Sequence, residues 1–217
     1  MRMAADKRNT LITVFDPLCG WCYGFGPVLI ELQKVYGSQL KFDVISGGMI
    51  TGNRIGPLSN MAGFISNAYK TVEQHTAIKF GETFINKTLK EGTATFSSLE
   101  PAKVLTVYKN FHPEKVVAFS HAIQKRIYGD GIDPVQYQEY LPLFEAEVIP
   151  EKEVLPLLAS KDLEQETINE FSQAQRWKIN GFPACVIQQA DGRAIGLSSG
   201  YLPYAELEKR IQAFLVG

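Results

Sequence analysis

The segment that decides the fold runs from Thr10 to Pro27 and reads TLITVFDPLCGWCYGFGP. Its first six residues are almost all apolar or β-branched, which is typical of a strand buried on both faces in a parallel sheet. Cys19 and Cys22 follow directly as a C-x-x-C pair, and apolar residues then recur at spacings of three and four until Gly37. The sequence therefore predicts the cysteine pair at the junction between a buried strand and the start of a helix.

A second strand is predicted after this helix. Residues 40–45 read LKFDVI, and the alternation of apolar and charged residues at their start places this strand nearer the edge of the sheet. Strand, helix and strand together span about 36 residues, close to the size of a βαβ unit. The chain thus begins as an α/β domain.

The middle of the chain, residues 57–162, has a different pattern. Several short helices are predicted there, including 100–111 and 134–147, each with a proline near its start. Polar links marked by proline and glycine connect them, and no clear strand pattern occurs. This part of the chain is therefore predicted to be a separate helical unit.

Mixed character returns in the last part of the chain. A helix is predicted over 163–177, and Asp191-Gly192 is a strong hairpin signal between two short strands, 184–188 and 194–197. A terminal helix follows. The expected fold class is α/β, a thioredoxin-type domain with a mixed sheet and a helical insertion. Its expected boundaries are 9–56 and 163–217 for the discontinuous domain and 57–162 for the insertion.

The amino-acid composition of the chain limits the kinds of function that it is expected to have. Of the 217 residues, 45% are hydrophobic and 11% aromatic, as in an ordinary globular protein. The chain has 22 Lys and Arg against 23 Asp and Glu, which offers no electrostatic basis for binding nucleic acid or an anionic membrane surface. No stretch reaches the roughly 18 apolar residues of a membrane span, and the N-terminus holds no leader-like apolar run. If the sequence is complete, we expect a cytoplasmic protein.

The spacing of Cys19 and Cys22 suits redox chemistry. In a helix the two ends of C-x-x-C stand about one turn apart on the same side, close enough to form a disulfide. Cys19, at the helix start, is expected to face unpaired N–H groups and the positive end of the helix dipole, which favour the thiolate. The thiolate attacks a disulfide, and Cys22 is placed to resolve the mixed disulfide that results.

The sequence gives less support to two other roles for the cysteine pair. A structural disulfide is disfavoured because so short a loop constrains the unfolded chain little. A zinc half-site would need two further ligands, yet Cys185 stands alone, and the three histidines are scattered at positions 75, 112 and 121. No metal is therefore expected.

The segment from Phe15 to Phe25 resembles the active-site region of DsbA-type thioredoxin-fold proteins, and in particular their cytosolic, FrnE-like branch. A second mark of this family is Gly181-Phe182-Pro183, directly before a predicted strand. The resemblance implies a cis peptide bond before Pro183, which faces the cysteines, shapes the groove for the partner and keeps metal off the pair. It also implies a helical insertion, in agreement with the chain order.

Carried over by position, the resemblance assigns roles to six residues. It makes Cys19 the attacking thiol, Cys22 the resolving thiol and Pro183 the cis-proline. Gly20 and Trp21 become the dipeptide that tunes the pair, and they are expected to contact substrate together with Phe182 and Pro183. The resemblance implies no cofactor beyond the redox-active pair, and leaves glutathione open as a co-substrate. The expected partners are proteins with thiols or disulfides, or glutathione.

Several residues keep two interpretations. The family places a buried acid six residues before the first cysteine, where this chain has Thr13. Asp16 is either a proton acceptor for the resolving thiol or, more often for this residue type before proline, a turn residue. Cys185 is either a third redox thiol or a small buried side chain. Trp21 either contacts the partner or packs the helix, and residues 47–49 either line the groove or form a plain turn.

The leading hypothesis is a protein disulfide oxidoreductase or isomerase that exchanges its dithiol with protein or small-thiol substrates. The alternative is a glutathione-dependent enzyme of the kappa-transferase or hydroxychromene carboxylate isomerase type, which shares the fold but usually has serine at the first cysteine position. A non-catalytic binding or chaperone module is a third class. The direction of electron flow depends on the balance between thiolate and disulfide and stays open.

Overall fold

A computed structural model describes residues 8–216 of the chain. The N-terminal residues 1–7, part of the stretch without a leader-like run, and Gly217 lie outside the described part. A four-stranded mixed sheet has the order β2-β1-β5-β6, in which β2 runs parallel to β1, β5 antiparallel to β1, and β6 antiparallel to β5. The strands are β1 (Thr10–Phe15), β2 (Lys41–Ser46), β5 (Ala184–Gln188) and β6 (Ala194–Ser199).

Strand β1 lies inside the sheet, as its apolar run predicted. Leu11, Val14 and Phe15 are buried, and both neighbouring strands pair with β1 along its length. Strand β2 forms the edge, also as predicted, although it begins at Lys41 rather than one residue earlier. Helix α1 (Gly20–Tyr36) starts immediately after the first cysteine and ends before Gly37. The local pattern of the deciding segment is therefore confirmed.

The helical insertion is also confirmed, with two local corrections. A pair of two-residue strands, β3 (Gly56–Pro57) and β4 (Thr95–Phe96), lies within a region where no strand was expected, because so short a ladder leaves no alternating pattern in the sequence. The single helix expected over 134–147 is broken into a 3-10 turn at Tyr137–Tyr140 and a short helix, with Pro142 near its start. Proline has no N–H to continue the preceding turn, so the helix restarts there.

A large apolar core is shared by the insertion and the sheet, and a second, smaller apolar cluster contains Ile12, Val14, Ile45, Ala174 and Ala184. Helix α5 (Val116–Lys125) packs on α1, and α4 (Leu99–Lys109) packs on α8 (Lys161–Arg176), so the insertion contacts the α/β part through two pairs of helices. The domain boundaries at residues 57 and 162 stay predictions. In chain order, the α-helices that follow α1 are α2 (Ala62–Thr76), α3 (Leu89–Glu91), α4 (Leu99–Lys109), α5 (Val116–Lys125), α6 (Leu141–Glu145), α7 (Glu151–Leu158), α8 (Lys161–Arg176) and α9 (Tyr204–Val216).

The chain thus has a thioredoxin-type fold, with a mixed sheet and a helical insertion. The sheet and α1 carry the cysteines at one end of β1, and the insertion covers that end. Along residues 8–216, none of the helices combines the length and the apolar character that a membrane crossing requires.

Candidate active site

The two cysteines lie where β1 gives way to α1. Cys19 precedes the first residue of the helix and has extended backbone angles, φ −94° and ψ 111°, while Cys22 sits in the first turn. Both are free thiols, with 7% and 3% of their surface exposed. The Cys19 thiol donates a hydrogen bond to the carbonyl of Phe182, with Sγ and O 3.4 Å apart. The predicted position of the pair at the helix start is confirmed.

A tight turn between strand and helix positions Cys19. The Cys19 N–H donates to the Asp16 carbonyl at 3.0 Å, and the Leu18 N–H donates to Asp16 Oδ1 at 2.9 Å. Pro17 occupies the second position of this turn, where its fixed φ is favourable. Asp16 is therefore a turn residue, the interpretation that the sequence favoured.

Asp16 also connects the active-site turn to two other parts of the chain. Its Oδ2 accepts the Met49 N–H at 2.6 Å, and its Oδ1 accepts the Ser98 hydroxyl at 3.0 Å. The carboxyl is fully buried, and burial raises its pKa from 3.8 to about 6 against the opposing effect of these hydrogen bonds and of Arg54. The carboxyl thus has a pKa close to neutral pH in the folded protein.

The resolving thiol is held in its protonated form. Burial raises the pKa of Cys22 well above its usual range, and a hydrogen bond and the negative charge of Cys19 raise it further. A hydrogen bond with the backbone of Asp16 lowers the pKa of Cys22 in part, and the charge of the Asp16 carboxylate raises it. At Thr13, where the family has a buried acid, the side chain is buried beside the sulfur of Cys185 at 3.8 Å. A proton acceptor for Cys22 therefore stays a prediction.

An apolar groove of about 250 Å³ opens beside Cys19. Gly20, Trp21 and Phe182, three of the four residues assigned to substrate contact by the resemblance, line it together with Cys19. One wall comes from α2 of the insertion, whose Phe64 side chain is 71% exposed. The other lining residues are Leu18, Met49, Met61, Ile65, Ala68, Tyr69, Val72, Phe80 and Tyr128.

Trp21 separates this groove from a second, more open one. The Trp21 ring lies between Tyr201 and His75, with ring centroids 5.8 and 5.9 Å away, so it packs the helix start and borders both grooves. The segment 47–49 contributes Met49 to the groove wall, in line with the groove-lining interpretation. Gly47 packs so closely on the Phe182 ring that a Cβ there would lie 2.0 Å from it.

Pro183, the fourth residue assigned to substrate contact, lines a different cavity and not the groove. The Phe182–Pro183 peptide bond is cis, as the resemblance implied. Pro183 and Cys22 line the same small buried cavity, so the proline, which directly precedes β5, lies on the side of the resolving cysteine. All six residues assigned from the sequence are thus brought together around the start of α1.

Two functional candidates were missed by the sequence analysis. Gln124 of α5 donates from Nε2 to three carbonyl oxygens of the active-site turn. Tyr128 lies in a π-helical turn, Arg126–Asp130, and lines the groove; burial raises its pKa well above the usual range, and the charges of the two cysteines and Asp16 add to this. In sequence both residues fall in an ordinary helical pattern, which carries no signal of a distant contact.

The third cysteine is part of the core. Cys185 is fully buried in β5, and burial raises its pKa to about 11. This supports the buried-side-chain interpretation over a third redox thiol. In the described part of the chain, no three His, Cys, Asp or Glu side chains come together in a way that could hold a metal ion.

Comparison with models of known protein families finds a match over most of the chain. The model of the DSBA-like thioredoxin domain matches residues 10–212. No protein of curated function matches the sequence. Among solved structures, a candidate protein disulfide isomerase from Nitrosomonas europaea is 27% identical, with a TM-score of 0.86 over 96% of this chain and 98% of that one.

Two further likenesses fall below 25% identity and concern the fold alone. The cytosolic disulfide reductase DsbM from Pseudomonas aeruginosa is 23% identical, with a TM-score of 0.80 over 95% of this chain and 98% of that one, and is also known with GSH. A 2-hydroxychromene-2-carboxylate isomerase is 14% identical, with a TM-score of 0.64 over 95% of each chain.

Proposed function

Because the chain belongs to the family of DSBA-like thioredoxin domains, we propose that it is a thiol–disulfide oxidoreductase that works through Cys19 and Cys22. The observation that carries the proposal is the placement of two free thiols at the start of α1, one beside an open groove and one buried behind it. The proposed substrates are disulfides of proteins or of small thiols.

In the first step, the Cys19 thiolate attacks one sulfur of the substrate disulfide. The substrate S–S bond breaks, a Cys19–substrate disulfide forms, and the other substrate sulfur leaves as a thiolate that takes up a proton. The groove around Cys19 accepts the apolar surface next to that disulfide. During this step the high pKa keeps Cys22 protonated, so it does not compete for the substrate.

The mixed disulfide changes the surroundings of Cys22. Two of the causes that raise its pKa are the hydrogen bond and the charge of Cys19, and both disappear when the Cys19 sulfur is bound to substrate. Loss of the Cys22 proton then becomes easier, and its thiolate attacks Cys19 Sγ. The second substrate sulfur leaves as a thiol, and the pair becomes a disulfide. Two electrons and two protons have passed from the pair to the substrate.

A second thiol must restore the dithiol when the protein acts as a reductase. We propose glutathione for this role: two glutathione molecules reduce the Cys19–Cys22 disulfide and leave as one glutathione disulfide. The precedent for this choice is a cytosolic disulfide reductase of the same fold that is known with GSH, and we propose a cytoplasmic location for this protein as well. The same exchange run backwards oxidises a substrate dithiol, so the direction is set by the potential of the pair.

The test is a redox titration. The protein is equilibrated with graded mixtures of reduced and oxidised glutathione, and the pair is followed by thiol trapping and mass spectrometry. We expect one reversible two-electron transition that is absent in Cys19→Ser and Cys22→Ser and retained in Cys185→Ser. A midpoint below the cytosolic glutathione poise indicates a reductase, and one above it an oxidant or isomerase.

The same titration separates the alternative function. If the pair never closes and only Cys19 carries a stable glutathione adduct, the dithiol mechanism is wrong. A glutathione-dependent isomerase or transferase would then be favoured, and a conjugation assay should find Cys22→Ser fully active.

A further inference from the structure

One buried amide of the insertion reaches the backbone of the active-site turn. Gln124, on α5, is 2% exposed. Its Nε2 lies 3.2 Å from the carbonyl oxygen of Asp16, 3.4 Å from that of Pro17 and 3.2 Å from that of Cys19. A single side chain from the insertion thus contacts three of the four residues of the turn that presents the attacking thiol.

The site requires a hydrogen-bond donor. Three carbonyl oxygens converge on one point, and each carries a partial negative charge. The Asp16 and Cys19 carbonyls already accept one backbone hydrogen bond each, from the N–H groups of Cys19 and Tyr23. An amide NH₂ group has two hydrogens to share among the three oxygens, whereas an apolar side chain or an acceptor would leave buried carbonyls facing each other without compensation.

We propose that Gln124 is a positioning residue for the redox pair. By gathering the three carbonyls it holds the turn in the conformation that places Cys19 Sγ beside the groove and the Phe182 carbonyl. It also offsets the negative potential of the three oxygens, which would otherwise oppose a thiolate on Cys19. The insertion thereby sets the reactivity of the pair through a contact with the backbone of the turn.

The titratable groups around the turn come from both parts of the chain. Asp16 and Cys22 lie on the α/β side, with Arg54 acting on Asp16, and Tyr128 faces the cysteines from the insertion. The His121 ring, also on α5, stacks on Tyr23 at 5.4 Å. Gln124 itself carries no charge, so its removal leaves this set of titrating groups intact.

The test measures the alkylation rate of Cys19 by iodoacetamide as a function of pH, with the labelled site identified by peptide mapping. In Gln124→Leu the donor is lost at nearly constant volume. We expect the rate at pH 7 to fall about threefold to tenfold and the half-maximal rate to move to higher pH, an effect in the range of one lost hydrogen bond. Gln124→Met also removes the donor and keeps an unbranched, uncharged side chain of similar length, and its rate at pH 7 should fall by a similar factor.

Two control variants separate positioning from general destabilisation. Gln33→Leu removes an exposed amide that donates to one carbonyl, that of Glu114, at 3.0 Å. Thr106→Val removes a buried hydrogen bond between α4 and α8, the one that Thr167 Oγ1 donates at 2.9 Å. Both should keep the alkylation profile of the native protein, and Thr106→Val should lower the melting temperature.

The proposal is wrong if a folded Gln124→Leu protein keeps the native alkylation profile, or if Thr106→Val shifts the profile equally. Should Gln124→Leu fail to fold, a native rate in a folded Gln124→Met protein overturns the proposal by itself. A second readout rests on the proposed function. In Gln124→Leu, the equilibrium constant between the Cys19–Cys22 pair and glutathione should shift toward the protein disulfide by about threefold to tenfold, as the alkylation rate does. If the native pair does not cycle at all, the proposed function fails, while the alkylation result still decides the role of Gln124.

Discussion

The buried carboxyl of Asp16 should give the protein a distinctive dependence of stability on pH. Its pKa is raised from 3.8 to about 6 by burial in the folded protein. A group with a raised folded pKa contributes stability that is fully present below the unfolded value and is lost as pH rises through the folded value. The full difference between the two pKa values corresponds to about 3 kcal/mol of unfolding free energy. About 2 kcal/mol of this is lost between pH 4 and pH 7.5, because pH 4 already lies slightly above the unfolded value.

The substitution Asp16→Asn isolates this contribution, because the amide stays neutral throughout that range. Its Oδ1 can still accept the Leu18 N–H and the Ser98 hydroxyl, but its NH₂ group meets the Met49 N–H, where the carboxylate accepted a hydrogen bond. That mismatch costs about 1–3 kcal/mol at every pH. We therefore expect Asp16→Asn to be less stable than the native protein at pH 4. Its free energy of unfolding relative to the native protein should rise by about 2 kcal/mol between pH 4 and pH 7.5.

Urea unfolding followed by circular dichroism at pH 4, 5, 6 and 7.5 measures the free energies of unfolding of the native protein and of Asp16→Asn. Asp191→Asn serves as the control, since its exposed carboxyl has a lowered pKa, so that its contribution is lost only at pH values below this range. From pH 4 upward, the free energy of unfolding of Asp191→Asn should therefore change with pH in the same way as that of the native protein. If the difference between Asp16→Asn and the native protein stays constant across the range, Asp16 does not titrate near 6 and the reasoning is wrong.

Three further outcomes are expected. Cys185, fully buried and with a pKa of about 11, should resist iodoacetamide at pH 8 in the folded protein and react in urea; labelling at equal rates in both states would contradict its core position. Phe119→Ala should lower the unfolding free energy by about 3–5 kcal/mol in urea titrations, because its buried ring stacks on a neighbouring tyrosine at 3.5 Å; a loss below 1 kcal/mol would argue against this packing. Gly47→Ala should slow disulfide exchange by displacing the Phe182 ring, whereas Gly181→Ala, where a Cβ meets nothing within 4 Å, should exchange at the native rate; equal rates in both variants would contradict the contact.

Much of the fold was predictable because its signals are local. The buried strand Thr10–Phe15, the helix that starts after Cys19, and the hairpin at Asp191-Gly192 each depend on residue types within a few positions. The resemblance added Pro183, whose cis bond the structure contains. The broken helix at Pro142 and the two short strands of the insertion were missed, since neither produces a periodic pattern of its own.

By itself, the sequence determined where the two thiols stand, because strand propensity, turn chemistry and helix periodicity are properties of neighbouring residues. Only the tertiary structure decided what surrounds them. The burial that raises the pKa of Asp16 depends on side chains packed around it, including Ser98, 82 positions along the chain. The amide of Gln124 meets the active-site turn from more than a hundred positions away. Desolvation and long-range hydrogen bonds arise only when distant segments pack together, so no local pattern reports them.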